Sequence, residues 1–180
     1  MNAFDSTVFD STAFDSAATL ASASSRGRTS ERSWRDRLPL PLRADAAGLT
    51  WERFAAVYAP QNGPVRLGGW TVTALAAGRS AYEATFAVGA AIHTASAVAN
   101  GPVAGMTAML HDLGINLEIL SFHQRELGVR GAARRGGTHA TFLLCREGEQ
   151  QKWALGTGQS ATESTLRAMI SGANRLDSAR

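Results

Sequence analysis

The stretch best suited to hold a ligand is Asn100-Gly101-Pro102-Val103-Ala104, which opens a run ending at Gly114. Asn100 or Gly101 can cap a helix, and Pro102 suits its first position, where a missing N–H costs nothing. Val103, Met106, Leu110 and Leu113 then recur at helical spacing, and Gly114 is placed for a left-handed cap. A helix start next to glycine leaves backbone N–H groups that favour an anionic group. A second start of this kind is Ser160-Ala161-Thr162-Glu163, which reads as a capping box. The other reactive residue types are scattered. His93, His111, His123 and His139 lie far apart, and no two have ligand spacing on one strand. Cys145 follows Leu143 and Leu144, which predicts a buried, inert thiol, and one cysteine permits neither an internal disulfide nor a cysteine-cluster metal site. Gly156-Thr157-Gly158 lacks the third glycine of a dinucleotide loop. No metal or other cofactor is expected, and no catalytic residue is assigned.

The elements that position these residues follow from alternation and punctuation. Leu49 to Tyr58 predicts a short helix, capped by Thr50, with Trp51, Phe54 and Tyr58 on one face and Pro60 beyond it. Val65–Leu75, Tyr82–Val88 and Ile92–Val98 alternate as half-buried strands, with Gly78 and Gly89 at the turns. The helix from Pro102 follows. The order then repeats: strands at Ile115–Gln124, Thr138–Arg146 and Gln151–Gly158, and a helix with Leu166, Met169, Ile170 and Ala173 in its apolar stripe. On the first of these strands Leu117 and Ile119 are expected on one face, Leu120 and Phe122 on the other. Gly128 to Gly137 reads as a loop rich in glycine and arginine.

This predicts an α+β fold of two pseudo-symmetric βββα modules, about 64–114 and 115–176, each with three antiparallel strands and one helix. Ala84-Thr85-Phe86 and Ala140-Thr141-Phe142 are expected at matching places in the two middle strands, and Gly101 and Gly158 before the two helices. One module buries little alone, so the two share a core, and their exposed edges favour a homodimer. Residues 1–30, with Phe-Asp-Ser three times, read as a disordered low-complexity tail. Residues 31–48 read as an Arg/Pro-rich linker or docking strap.

The formal charge of +3 among 18 basic and 15 acidic residues is modest. Trp34 among Arg32, Arg35 and Arg37 is the one place suited to nucleic acid, but Glu31, Asp36 and Asp45 dilute it, so no nucleic-acid partner is expected. No apolar run is long enough to span a membrane, and the start lacks a signal peptide, which implies a cytoplasmic setting.

The element order, Asn100-Gly101-Pro102-Val103-Ala104, Glu118-Ile119-Leu120-Ser121-Phe122-His123 and the closing helix with Ala173-Asn174-Arg175 resemble the C-terminal regulatory domain of 2-isopropylmalate synthase, over about Leu49 to Leu176. That domain, the LeuA allosteric or dimerisation domain, binds leucine between two βββα units at a dimer interface. The resemblance implies a stand-alone regulatory domain without the synthase's TIM barrel and its His-x-His metal pair. It implies a ligand, leucine or a related branched-chain acid, a homodimer, and a synthase partner in trans. Its pocket would fall on Asn100, Gly101, Val103, Ala104, Ile119, Phe122, Gly137, His139, Ala161 and Thr162. His139 departs from the family, which favours a small residue there. The runner-up readings are a synthase-like acyltransferase and a structural adaptor that docks through the Phe-Asp-Ser tail.

Overall fold

The computed structural model describes residues 34–127 and 137–177; the predicted tail and most of the predicted 128–137 loop lie outside them. Two short helices come first, α1 (Leu40–Asp45) and α2 (Trp51–Tyr58). Strands β1 (Val65–Ala74), β2 (Ser80–Val88) and β3 (Ala91–Ala99) form one antiparallel sheet, followed by helix α3 (Pro102–Asp112). Strands β4 (Glu118–Glu126), β5 (His139–Glu147) and β6 (Gln150–Gly158) form a second, followed by helix α4 (Ala161–Asp177). This is the α+β arrangement of two βββα modules.

The repeat is regular from the middle strand onward. Ser80 opens β2 and His139 opens β5, Ala91 opens β3 and Gln150 opens β6, and Pro102 opens α3 and Ala161 opens α4; each step is 59 residues. Gly89 and Gly148, also 59 apart, take φ of 58° and 56° in the two hairpin turns, where a side chain would be strained. The expected match of Ala84-Thr85-Phe86 with Ala140-Thr141-Phe142 is therefore corrected. Ala84 and Phe86 belong to the central core, whereas Ala140 and Phe142 belong to an outer aromatic cluster. A three-residue step in register turns a strand over, because side chains alternate with period two. By the same step Gly101 corresponds to Ser160, not Gly158; both residues cap a helix.

The two sheets and two helices enclose one core, which holds Tyr82 and Phe86 from the first sheet, Leu143 and Cys145 from the second, Met106, Met109 and Leu110 from α3, and Leu166, Met169 and Ile170 from α4. Helix and sheet approach closely at corresponding places. In the first module a Cβ on Gly105 would lie 2.6 Å from the Tyr82 ring, so only glycine fits beneath the tyrosine. In the second, 59 residues on, Ser164 and Thr141 fill that place with a hydroxyl pair 2.8 Å apart. Cys145 is fully buried under α4, against Gly172, as expected of an inert thiol. Burial, partly offset by the charge of Arg175, pushes it up to about 12.

Residues 34–48 do not behave as a linker. Trp34, Leu38, Leu42 and Ala46 are buried with Trp51, Phe54 and Tyr58 of α2 against Ala140, Phe142 and Leu155 on the outer face of the second sheet. The aromatic rings contact one another at centroid distances from 4.3 to 6.3 Å. Five apolar side chains at near-helical spacing, Trp34, Leu38, Leu42, Ala46 and Leu49, outweigh the two prolines, one of which caps α1 and the other of which stands inside its first turn.

Candidate functional site

Helix α3 starts without a side-chain cap, because Gly101 holds that position and Pro102 follows. The N–H groups of Val103 and Ala104 lie in the first turn, where no carbonyl of the same helix can reach them. The other end is closed by glycine: Gly114, at φ 78°, donates to the His111 carbonyl, and Ile115 donates to that of Leu110, at 2.9 Å each. At the start of α4, Ser160 Oγ accepts from the Glu163 N–H at 3.1 Å, and the Glu163 carboxylate accepts from the Gln159 N–H at 2.7 Å. The predicted capping box forms with its carboxylate one residue earlier than usual. It leaves the N–H groups of Ala161 and Thr162 pointing out of the first turn.

These two helix starts meet. They border a groove of about 590 Å³ lined by Gly101, Pro102, Val103, Ala104, Phe122, Gln124, Ala161, Thr162 and Thr165. Phe122 stands on β4, 45% exposed, and forms the apolar wall opposite the helices. A bulge brings it there. Ile119 pairs with Cys145 and Phe122 with Leu143, with an extra residue between, so Ile119 and Phe122 share the face that looks at the helices. The expectation of Ile119 and Phe122 on opposite faces is corrected: plain alternation has no room for the extra residue at Leu120.

Of the ten residues expected at the pocket, Gly101, Val103, Ala104, Phe122, Ala161 and Thr162 line this groove. Ile119 lines a neighbouring groove of about 470 Å³ on the other side of Val103, with Thr107, His111, Glu118 and Arg146. Glu118 and Arg146 pair there at 2.6 Å. Asn100, Gly137 and His139 line neither groove. Gly137 backs onto Gly158, where a Cβ would lie 2.5 Å from its carbonyl oxygen, and His139 Nδ1 is 2.9 Å from the Thr138 hydroxyl.

Gln124 and Thr165 were missed by sequence reasoning. The Gln124 amide nitrogen donates to the Ala161 carbonyl at 2.8 Å and to Thr141 Oγ1 at 3.0 Å, which ties β4 to the start of α4 and fixes the amide. With the nitrogen anchored, the amide oxygen is the acceptor that this side chain can offer to the groove. The signal was present in Ser164 and Thr165, two hydroxyls interrupting the apolar stripe of α4. None of the lining side chains is ionisable, so the groove presents backbone dipoles, one amide, two hydroxyls and apolar surface, and no side-chain acid or base.

The model of the LeuA allosteric (dimerisation) domain matches residues 49–177. The chain belongs to this family. Relatives include 2-isopropylmalate synthases from Renibacterium salmoninarum, 28% identical over 138 residues, and from an Arthrobacter species, 28% identical over 131 residues. A third, from a Parafrankia species, is 27% identical over 133 residues. The first two alignments cover 72% and 69% of the chain but only 23% and 22% of the relatives. The chain thus spans less than a quarter of the synthases it matches, and the match lies in their LeuA domain. Among the described residues no group of three His, Cys, Asp or Glu is placed to hold a metal ion, and no helix is long and apolar enough to cross a membrane.

Proposed function

We propose that this chain is a non-catalytic regulatory module that binds a small branched-chain amino or keto acid, leucine foremost, and acts as a homodimer. One observation carries the reading: two helix starts, one from each module and each with first-turn N–H groups that no carbonyl of its own helix can reach, converge on a single groove with an apolar wall. The ligand's carboxylate accepts from the N–H groups of Val103 and Ala104 or of Ala161 and Thr162, each helix start contributing about 0.3 to 1 kcal/mol. Its branched side chain lies against Val103 and Phe122, and an amino group donates to the Gln124 amide oxygen. A keto acid lacks that donor, so the amide favours the amino acid. The relatives' names, 2-isopropylmalate synthase, support a role for this binding in the regulation of that enzyme.

Isothermal titration of the full chain with leucine, isoleucine, valine and 2-ketoisovalerate tests the reading. It requires saturable heat with at least one of them; flat traces for all four remove the sensing role. A synthase-like acyltransferase is the second reading, and it is favoured only by the relatives' names. A condensation assay with acetyl-CoA and 2-ketoisovalerate separates the two: metal-dependent turnover by this chain overturns the first.

A further inference from the structure

The four outer strands of the two sheets differ in how their edges are protected. Strand β1 carries Arg66 and a bulge between Leu67 and Trp70. Strand β4 carries Glu118, Arg125, Glu126 and the bulge before Ser121, and Arg37 donates to its Glu126 carbonyl at 3.1 Å. Strand β6 carries Lys152, and its second half is buried. Charges, bulges and cover are the devices by which sheet edges avoid pairing with other chains. Among the described residues, strand β3 has none of them. Its sequence, Ala-Ile-His-Thr-Ala-Ser-Ala-Val-Ala, contains no Lys, Arg, Asp, Glu or Pro. Its register with β2 runs unbroken from Ser80–Ala99 to Val88–Ala91. It is the outermost strand of its sheet, and Ile92 and Val98 are 77% and 56% exposed.

We propose that β3 is the dimer interface, pairing edge to edge and antiparallel with β3 of a second copy about a twofold axis through Ala95. The occupant follows from the strand's own symmetry. A twofold axis places a strand antiparallel to its copy, and every contact then occurs twice. Centred on Ala95, the full strand is paired, Ala91 with Ala99 of the second copy. Ile92 then faces Val98, so the two exposed branched side chains of the strand cover each other. Thr94 faces Ser96, a hydroxyl pair suited to cross-strand hydrogen bonding. No like charges meet, because the strand has none. A shift of register by one or two residues separates Ile92 from Val98. The two three-stranded sheets become one of six strands, and both open β3 edges disappear. This interface gives structural content to the homodimer proposed above and rests on that reading; it does not depend on which ligand the groove takes.

Sedimentation of the full chain without ligand, together with disulfide trapping, tests it. The wild type is expected to be a dimer. Thr94→Lys puts a charge on the edge and raises the dimer dissociation constant by about tenfold or more, while Thr73→Lys on β1 leaves it unchanged. In Thr94→Cys/Ser96→Cys, directly opposed positions fall within disulfide reach across the axis. Two residues apart along one strand, the side chains point the same way and their Cβ atoms stay about 6.6 Å apart, well beyond the roughly 4 Å a disulfide needs, so they cannot bridge within a chain. Mild oxidation is therefore expected to give a covalent dimer, and Cys145, fully buried, does not interfere. A wild-type dimer that neither traps covalently nor responds to Thr94→Lys overturns edge pairing and leaves the dimer standing. A wild-type chain that stays monomeric at high concentration, with and without leucine, overturns both. Trapping is read independently of Thr94→Lys, so loss of folding in that variant does not decide the outcome.

Discussion

Asn174, near the end of α4, holds the backbone of Val65, at the start of β1, from both sides: its Oδ1 accepts from the Val65 N–H and its Nδ2 donates to the Val65 carbonyl, each at 2.9 Å. Nδ2 also donates to the Pro60 carbonyl at 3.1 Å. The last helix of the second module thus fixes the first strand of the first. Asn174 is 1% exposed, so water cannot replace these bonds. Asn174→Ala is expected to lower stability by about 2 to 4 kcal/mol, because it leaves the Val65 N–H and carbonyl buried and unpaired. Chemical denaturation measures this, and Asn174→Asp, which turns a buried carboxylate oxygen towards the Val65 and Pro60 carbonyls, is expected to be no milder.

Helix α4 lies directly on the backbone of β6. A Cβ on Gly156 would lie 2.1 Å from the Ala168 nitrogen and 2.2 Å from the Ser164 carbonyl oxygen, and neither backbone atom can swing aside. Gly156→Ala must push the helix off the sheet and is expected to cost about 3 kcal/mol. Gly114→Ala meets no atom within 4 Å and suffers only from its φ of 78°, about 1 kcal/mol. Thermal melts of the two variants should show that order.

The segment before residue 49 lies outside the family match but contributes to the core. Leu42 is fully buried against the outer aromatic cluster. Leu42→Ala is expected to destabilise the fold by about 2 to 5 kcal/mol, a cost no exposed linker residue would carry. Urea unfolding of Leu42→Ala beside Leu40→Ala, at an exposed position, separates the two cases.

Cys145 and Tyr58 both contribute to stability on the alkaline side. Burial raises the thiol from 9.0 to about 12. Burial, followed by the hydrogen bond to Asp45, raises Tyr58. A folded state that holds a proton longer than the unfolded chain is favoured below the unfolded pKa, and that advantage is lost as pH rises through the folded one. The contribution of Cys145 is therefore complete below about pH 9 and declines towards about pH 12. Cys145→Ala is expected to flatten part of that decline. In the native state the thiol should resist Ellman's reagent at pH 8 and react once the chain is unfolded in guanidinium.

The helix boundaries were the most legible part of the sequence. Pro102 and Gly114 fix α3, and Ser160 with Glu163 starts α4, because capping is settled by a few neighbouring residues. Strand phase was less legible. The extra residue at Leu120 and the three-residue error in matching Ala84 with Ala140 both reverse a face, and one inserted residue does so without altering composition or local propensity. For residues 34–48 the sequence leaves linker and docking strap open, because the two prolines stand out locally, whereas the face that Trp34, Leu38 and Leu42 cover lies on a sheet about 100 residues further along. At the groove, the helix starts could be read from the residues, whereas Phe122 came only with the family resemblance; Gln124 could not be read, since its role depends on the Ala161 carbonyl and Thr141 reaching it from different elements.

The most direct test of the sensing role is a crystal of the full chain soaked in leucine, isoleucine, valine and 2-ketoisovalerate together. The account predicts density for one branched-chain acid between the starts of α3 and α4, with its carboxylate on the first-turn N–H groups and its side chain on Phe122. Density bound elsewhere, or an empty groove at saturating concentrations, would contradict it.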